Sequence, residues 1–305
     1  MPQPRKSLLL GWLAADTDGL MSTAGAYSTS ATGVLNDDST VNRKIRFRRI
    51  IQPVLIRGAS LLACLVLWQL ASANKWNFFV NFENVPPPTA VCAAAFNLVQ
   101  SLKFQSHLTS SIGRVFAGFS CATVLAIAIG LAAGRSRFAS NILMPPLELL
   151  RPIPAVAWIP LAVLMFPNPE ESMVYITFVG AFYPILLNTI HGVASVDPKL
   201  TFASLTLGAS PLRVFSEVII PGAMPSMVTG LSIGMGNAWF SLVTAEMVAG
   251  QFGIGYYTWE SYTLQKYPDI VLGMITIGVL GMLSSVLVKR IASCFMPWAK
   301  LESDR

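Results

Sequence analysis

Few residues in this 305-residue chain have the type and spacing that covalent chemistry needs. Its two histidines, His107 and His191, stand alone. Neither is accompanied by a serine–histidine–aspartate set or by paired carboxylates, the groupings that nucleophilic and acid–base catalysis use. The four cysteines, Cys64, Cys92, Cys121 and Cys294, show no C-x-x-C spacing, so neither a metal site nor a disulfide framework is expected. A G-x-x-x-x-G-K-[ST] loop for nucleotide phosphates is missing as well. The chain is therefore read as a non-enzyme with no cofactor of its own. What remains is a small set of polar and aromatic residues in apolar surroundings: Arg151, Trp158, Trp239, Thr244 and Glu246. Arg151 can attract an anion, or pair with Glu148 at the i, i+3 spacing of one helix face. Glu246 either faces the outer mouth of a pathway or sits at an interface. The two tryptophans either line a pore or serve as packing and belt residues.

These alternatives depend on the elements that carry the residues. The chain is 53% hydrophobic and 12% charged, with mean hydropathy +0.59. Soluble domains carry about 25% charged residues, so the solvent for much of this surface is apolar. The net charge of +6 lies beside apolar runs rather than along one face. That placement fits membrane flanks and argues against nucleic acid. Runs of about 18 apolar residues mark spanning helices. Such runs fall at 58–74 (lengthened upstream by Ile50, Ile51, Val54, Leu55 and Ile56), 115–134, 172–190, 223 to about 244, and 270–288. A further, irregular span begins at 141–150 and continues through Pro152, Pro154 and Pro160. A proline break at membrane depth survives only inside protein or beside a water-filled cavity, and broken helices of this kind point backbone N–H groups at anions in transporters. The expected fold is all-α, a polytopic bundle of six spans. Lys and Arg counts place the N-terminus inside: Arg43, Lys44, Arg46, Arg48, Arg49, Arg57, Arg135, Arg137, Lys199, Arg213, Lys289 and Arg290 fall on the cytoplasmic side, and Lys75, Lys103, Arg114 and Lys266 outside, with Arg151 assignable to neither. Residues 85–105 become an external connection. Residues 1–42 are rich in Ser, Thr and Gly, and 1–49 read as a disordered cytoplasmic tail, although the short patch at 8–15 behind Arg5 and Lys6 mimics a signal peptide.

This topology leaves residues 198–222 in the cytoplasm. Ala203, Leu205 and Leu207 suit a short helix that Gly208 ends, where positive φ costs a glycine little. Ser210 and Pro211 have the N-cap and first-turn chemistry of a second helix, running through Arg213, Val214 and Phe215 towards Pro221. Two short helices at an angle make either a knob for a groove on a soluble partner or a loop packed under the bundle. Both bury the same apolar residues.

The segment resembles the cytoplasmic E-A-A, three residues, G, nine residues, I-x-L-P loop of ABC importer permeases. Its matches are Ala203, Gly208, Val218 in place of Ile, Ile220 in place of Leu, and Pro221, while Phe202 and Ser204 depart from the pattern. Three further stretches are similar to the nitrate/sulfonate/taurine/bicarbonate branch of that family: residues 148–161, Thr206 to Ser210, and Ala238-Trp239 followed by Ala245-Glu246-Met247. The resemblance covers residues 50–297. It implies the type I importer transmembrane fold, with a permease domain at 50–297 and a C-terminal tail at 298–305.

It also implies that two permease copies pair around a pathway in the bacterial inner membrane, both termini cytoplasmic. Each copy docks residues such as Ala203, Leu207, Gly208, Ala209, Ser210, Arg213, Val214, Phe215 and Pro221 into a separate ATP-binding subunit. ATP is then held by that subunit, and an extracytoplasmic solute-binding protein delivers a small anion. A different class, a self-contained ion-coupled transporter, predicts paired repeats and buried carboxylates near mid-membrane, whereas Glu148 and Glu246 fall near span ends. An intramembrane enzyme would need a nucleophile or metal set that the residues do not supply.

Overall fold

A computed structural model of the chain describes residues 37–77, 82–99, 101–296 and 298. The part of the expected tail before Asp37, including the patch at 8–15, lies outside the described residues, as do 299–305. The chain divides after Trp68 into two units. The first holds helix α1 (Asp37–Ala73) as far as Trp68; the helix starts ahead of residue 50, and its segment Gln52–Ala73 is long and apolar enough to span a membrane.

The second unit holds the remaining helices: α2 (Pro88–Val99), α3 (Leu102–Arg135), α4 (Arg137–Leu150), α5 (Ile159–Met165), α6 (Pro169–Ser195), α7 (Pro198–Thr206), α8 (Pro211–Val214), α9 (Ile220–Ala249), α10 (Ile254–Thr263) and α11 (Tyr267–Cys294). Of these, α3, α6, the run Pro211–Ala249 and α11 have the length and hydropathy of spans. The irregular third span is a bent pair, α4 and the segment Ala155–Met165, whose arms meet at 82°. Counted as one, it makes six spans. The bend falls at Pro152 and Pro154, where proline removes donors and biases the preceding residue away from helix. Pro160 then opens α5, a position where its missing N–H costs nothing.

Helix α6 packs along both α3 and α9. Lipid tails are as apolar as leucine, so close backbone approach between small residues must supply much of the contact energy. A Cβ at Gly118 of α3 would lie 2.7 Å from Thr177 Cβ, and one at Gly130 2.7 Å from Thr189 Cβ. On the other side of α6, a Cβ at Gly180 would lie 2.3 Å from Ser241 Oγ, and one at Gly230 2.6 Å from Asn188 Cβ. Both threonines return their hydroxyls to their own helix, Thr177 Oγ1 to Met173 O and Thr189 Oγ1 to Ile185 O, each at 2.7 Å. Their methyl faces are thus turned to the glycines. Around these contacts lie Val115, Ile176, Ile185, Met235 and Leu242.

The run from Pro211 to Ala249 corrects the expectation that Pro221 closes a helix and that the fifth span begins near residue 223. Residues Phe215–Ile219 form a π-helical turn, and the Ile220 N–H donates to Phe215 O, five residues back. In an α-helix, Pro221 would leave a carbonyl unpaired and press its ring on it. The wider π turn absorbs that defect, and the helix continues.

Substituting Gly118 by Val is expected to lower the melting temperature of the purified protein by several degrees, because overpacking a close contact costs about 1–3 kcal/mol. Gly236, with open space around its Cβ position, is the control. Thermal melts in detergent should show Gly236→Ala unchanged, and equal melting of the two variants would contradict the close-contact account.

Candidate transport site

The segment after α6 forms the expected pair of short helices. Asp197 Oδ1 accepts the Lys199 N–H at 2.9 Å and caps α7. Gly208 has φ +87°, and nothing stands within 4 Å of a Cβ placed there. Its glycine is therefore required by backbone conformation and not by crowding. Ser210 Oγ accepts the Arg213 N–H at 3.3 Å and caps α8.

The two readings of this segment apply to different parts of it. Its base is packed under the bundle: Val214 is 2% exposed and sits with Ile219, Ala223, Met227 and Val193 of α6, with Ala209 and Phe215 alongside. Its tip is bare: Leu207 is 88% and Phe202 67% exposed, and Leu200, Ala203, Gly208 and Leu212 are exposed with them. Arg213 pairs with Glu217 at 3.6 Å on the outside. At 1.5 Å per residue, the 39-residue run from Pro211 is about 58 Å long. A hydrocarbon core is about 30 Å thick, so the run is longer than the core by about 28 Å.

Along the same run lies a cavity of about 390 Å³, bounded by the bend residues Arg151, Ile153 and Pro154, by Gly180 and Tyr183 near the middle of α6, and by Asn237 and Ser241 of α9. The expected Glu148–Arg151 pair is not formed: both residues are exposed, and no ion pair joins them among the described residues. Helix α4 ends at Leu150, but Arg151 keeps helical φ and ψ and its N–H donates to Leu147 O at 3.0 Å, so the helical spacing persists and the two exposed side chains still make no pair.

The other pathway candidates are not brought to this cavity. Trp239 is buried, its Nε1 donating to Ser284 Oγ at 2.7 Å. Thr244 returns its hydroxyl to Phe240 O at 2.8 Å. Trp158 packs half-buried against the main core, with Nε1 unpaired.

Glu246 lies in a buried polar cluster that the sequence did not suggest. Its side chain is 0% exposed. Arg114 Nη1 donates to Glu246 Oε1 at 2.8 Å and to Phe252 O at 2.7 Å. Ser111 Oγ donates to the same carboxylate at 2.8 Å, and the Gly255 N–H donates to Oε2 at 2.9 Å. On its other side, Arg114 Nε donates to Glu170 Oε2 at 2.7 Å, and Nη2 donates to Glu170 Oε1. Nearby, the Ile254 N–H donates to Ser111 Oγ at 2.9 Å and the Gly253 N–H to His107 Nδ1 at 3.0 Å. Gly253 has φ +124°, and a Cβ there would fall 2.2 Å from the Glu246 carboxylate. One signal for the pair was present: the topology put Arg114 and Glu246 at the same end of two spans with opposite charge. His191, by contrast, is exposed. Among the described residues no three His, Cys, Asp or Glu side chains are grouped to hold a metal.

A bundle of apolar spans, one of them broken beside a cavity, with a bare helical knob projecting from it, defines a membrane transport subunit. The chain belongs to the family described as the binding-protein-dependent transport system inner membrane component, matched over residues 123–300. It is an ABC permease by that membership, and an ion-coupled transporter is not favoured. It is 31% identical over 258 residues to the nitrate import permease protein NrtB of Synechocystis sp., covering 81% of this chain and 92% of that one. A putative ABC transporter permease protein of Methanocaldococcus jannaschii is 40% identical over 273 residues, covering 88% and 99%. The bicarbonate transport system permease protein CmpB of Synechococcus elongatus is 29% identical over 252 residues, covering 78% and 88%.

Removing one partner of a buried ion pair strands the other charge, at a cost of about 3–5 kcal/mol. Arg114→Met should therefore cut the yield of folded protein severely. Lys103→Met, which breaks the exposed 3.2 Å pair with Glu260, should change stability by about 1 kcal/mol or less. Melting curves and size-exclusion profiles of the two variants side by side check the contrast.

Proposed function

We propose that this permease carries a small anion of the nitrate, bicarbonate or sulfonate class across the inner membrane, and that residues 198–222 receive the mechanical input from a separate ATP-hydrolysing subunit. The observation that carries this reading is the two-sided knob, whose base is buried against α6 and α9 and whose tip of Phe202, Leu207 and Leu212 is bare. Leucines left in water at a rigid turn are suited to a groove on a soluble partner. The knob is also continuous through the π turn with α9, which borders the cavity. A push at the tip is thereby delivered to a wall of the pathway. Phe202 stands where the related loops carry Glu, so contact at this position is made by shape and apolar area.

In this scheme two copies of the chain enclose the pathway, ATP is bound only by the partner subunits, and an extracytoplasmic binding protein supplies the substrate. Both termini of each copy lie in the cytoplasm. The names of the nitrate and bicarbonate permeases support the anion class, and so does Arg151 at the cavity, which has no carboxylate partner among the described residues.

Gly208→Val tests the coupling role. A β-branched residue in the left-handed region costs about 1–2 kcal/mol of backbone strain and distorts the turn without crowding a neighbour. The complex with the ATPase subunit should still co-purify, while ATP-driven uptake falls about tenfold or more. Normal uptake by the Val variant would refute the coupling role.

A further inference from the structure

We infer that the cavity at the bend is a station for one monovalent, planar oxoanion, with Arg151 supplying the charge and Tyr183 and Asn237 the neutral polar contacts. The inference rests on the importer reading and names the substrate chemistry of that pathway. Three helical segments meet there: the break after α4 with Arg151, the middle of α6 with Tyr183, and α9 with Asn237 and Ser241. Arg151 is the one charged residue of the lining, which contains no carboxylate. An intramembrane arginine costs several kcal/mol unless something compensates it. Arg114 has two carboxylate partners, whereas Arg151 has none among the described residues.

Charge and shape narrow the ligand. A single guanidinium balances one negative charge, and a divalent anion would keep an uncompensated charge in an apolar slab. The guanidinium is planar and forked, so it pairs two-pronged with a flat trigonal oxoanion such as nitrate or bicarbonate. The third oxygen is left for the phenol of Tyr183, the amide of Asn237 or the hydroxyl of Ser241, which line the same cavity and are all able to donate. A water molecule's share of volume is about 30 Å³. The cavity of about 390 Å³ thus holds such an anion together with part of its hydration shell. That partial hydration suits a station that must release as well as bind. Gly180 keeps this wall in place, since a side chain there would meet Ser241 Oγ at 2.3 Å.

The test uses the complete complex of permease, ATPase subunits and binding protein in liposomes. ATP-driven uptake of nitrate, bicarbonate and sulfate is followed for the native protein and for Arg151→Gln, Arg151→Lys, Tyr183→Phe and Asn237→Leu. The native complex is expected to carry nitrate or bicarbonate and to exclude sulfate. For the carried anion, Arg151→Gln should cut uptake at least tenfold, with complex yield and ATPase activity within twofold of native. Arg151→Lys should recover only part of the loss. Tyr183→Phe and Asn237→Leu should each raise KM threefold to tenfold while leaving the ATPase maximum in place, a split that a packing defect does not produce. Uptake of neither monovalent anion by the native complex defeats the anion reading itself. Uptake of nitrate or bicarbonate that survives Arg151→Gln within twofold defeats the station and leaves the importer intact, and efficient sulfate uptake defeats the monovalent assignment. If Arg151→Gln fails to assemble, an unchanged KM in both Tyr183→Phe and Asn237→Leu overturns the proposal.

Discussion

A carboxylate with no exposed surface, Glu246, sits against the guanidinium of Arg114, and one end of the bundle is assembled around that contact. Burying either charge alone costs several kcal/mol, and the pair is tolerable only because the remaining lone pairs and N–H groups are also satisfied. The site meets that condition with Ser111, the Gly255 N–H, the Phe252 carbonyl and Glu170. The contact therefore joins α3, α6 and α9 at that end and the corner that leads into α10. It also dictates local sequence: Gly253 must be glycine, both for its φ of +124° and because the carboxylate occupies the space of a Cβ. Glu170, 58% exposed, is the place where this cluster meets the surroundings.

Below that end, the bundle is held by approach rather than by oily volume. Glycines of α3 and α9 meet threonine and asparagine side chains of α6, and Gly180 of α6 meets Ser241 of α9. Such contacts leave backbones close and side chains small, which suits helices that must pack in a solvent offering no hydrophobic drive between them. One continuous helical run from Pro211 to Ala249 then passes the knob, the cavity and the ion pair in succession. Its continuity depends on the π turn at Phe215–Ile219, which makes Pro221 compatible with an unbroken rod.

Much of this was legible along the chain. Hydropathy marked the spans and the proline cluster marked the broken one. Gly208, Ser210 and Pro211 marked a helix end and a helix start, because φ sign and capping are decided by adjacent residues. The errors fall where the answer depends on residues that are distant in sequence or on the course of the backbone. The Glu148–Arg151 pair was plausible by spacing, and the backbone stays helical through Arg151, yet both side chains are left exposed and no ion pair joins them among the described residues. Pro221 looked like a terminator and is accommodated by a wider turn. The knob could not be divided into base and tip until Val193 of α6 was seen against Val214.

By itself, then, the sequence determined an all-α membrane permease, the approximate positions of its spans and the turn at Gly208. These follow from local quantities: transfer free energy summed over a window, and the backbone conformations each residue tolerates. Only the tertiary structure decided that Glu246 belongs to Arg114, that Arg151 is left without a carboxylate beside a cavity, and that Trp239 is a core residue. Those outcomes are set by which helix faces meet and at what depth. Residues 114 and 246 are brought together by close packing of α3 and α9 around α6, and no spacing along the chain encodes that distance.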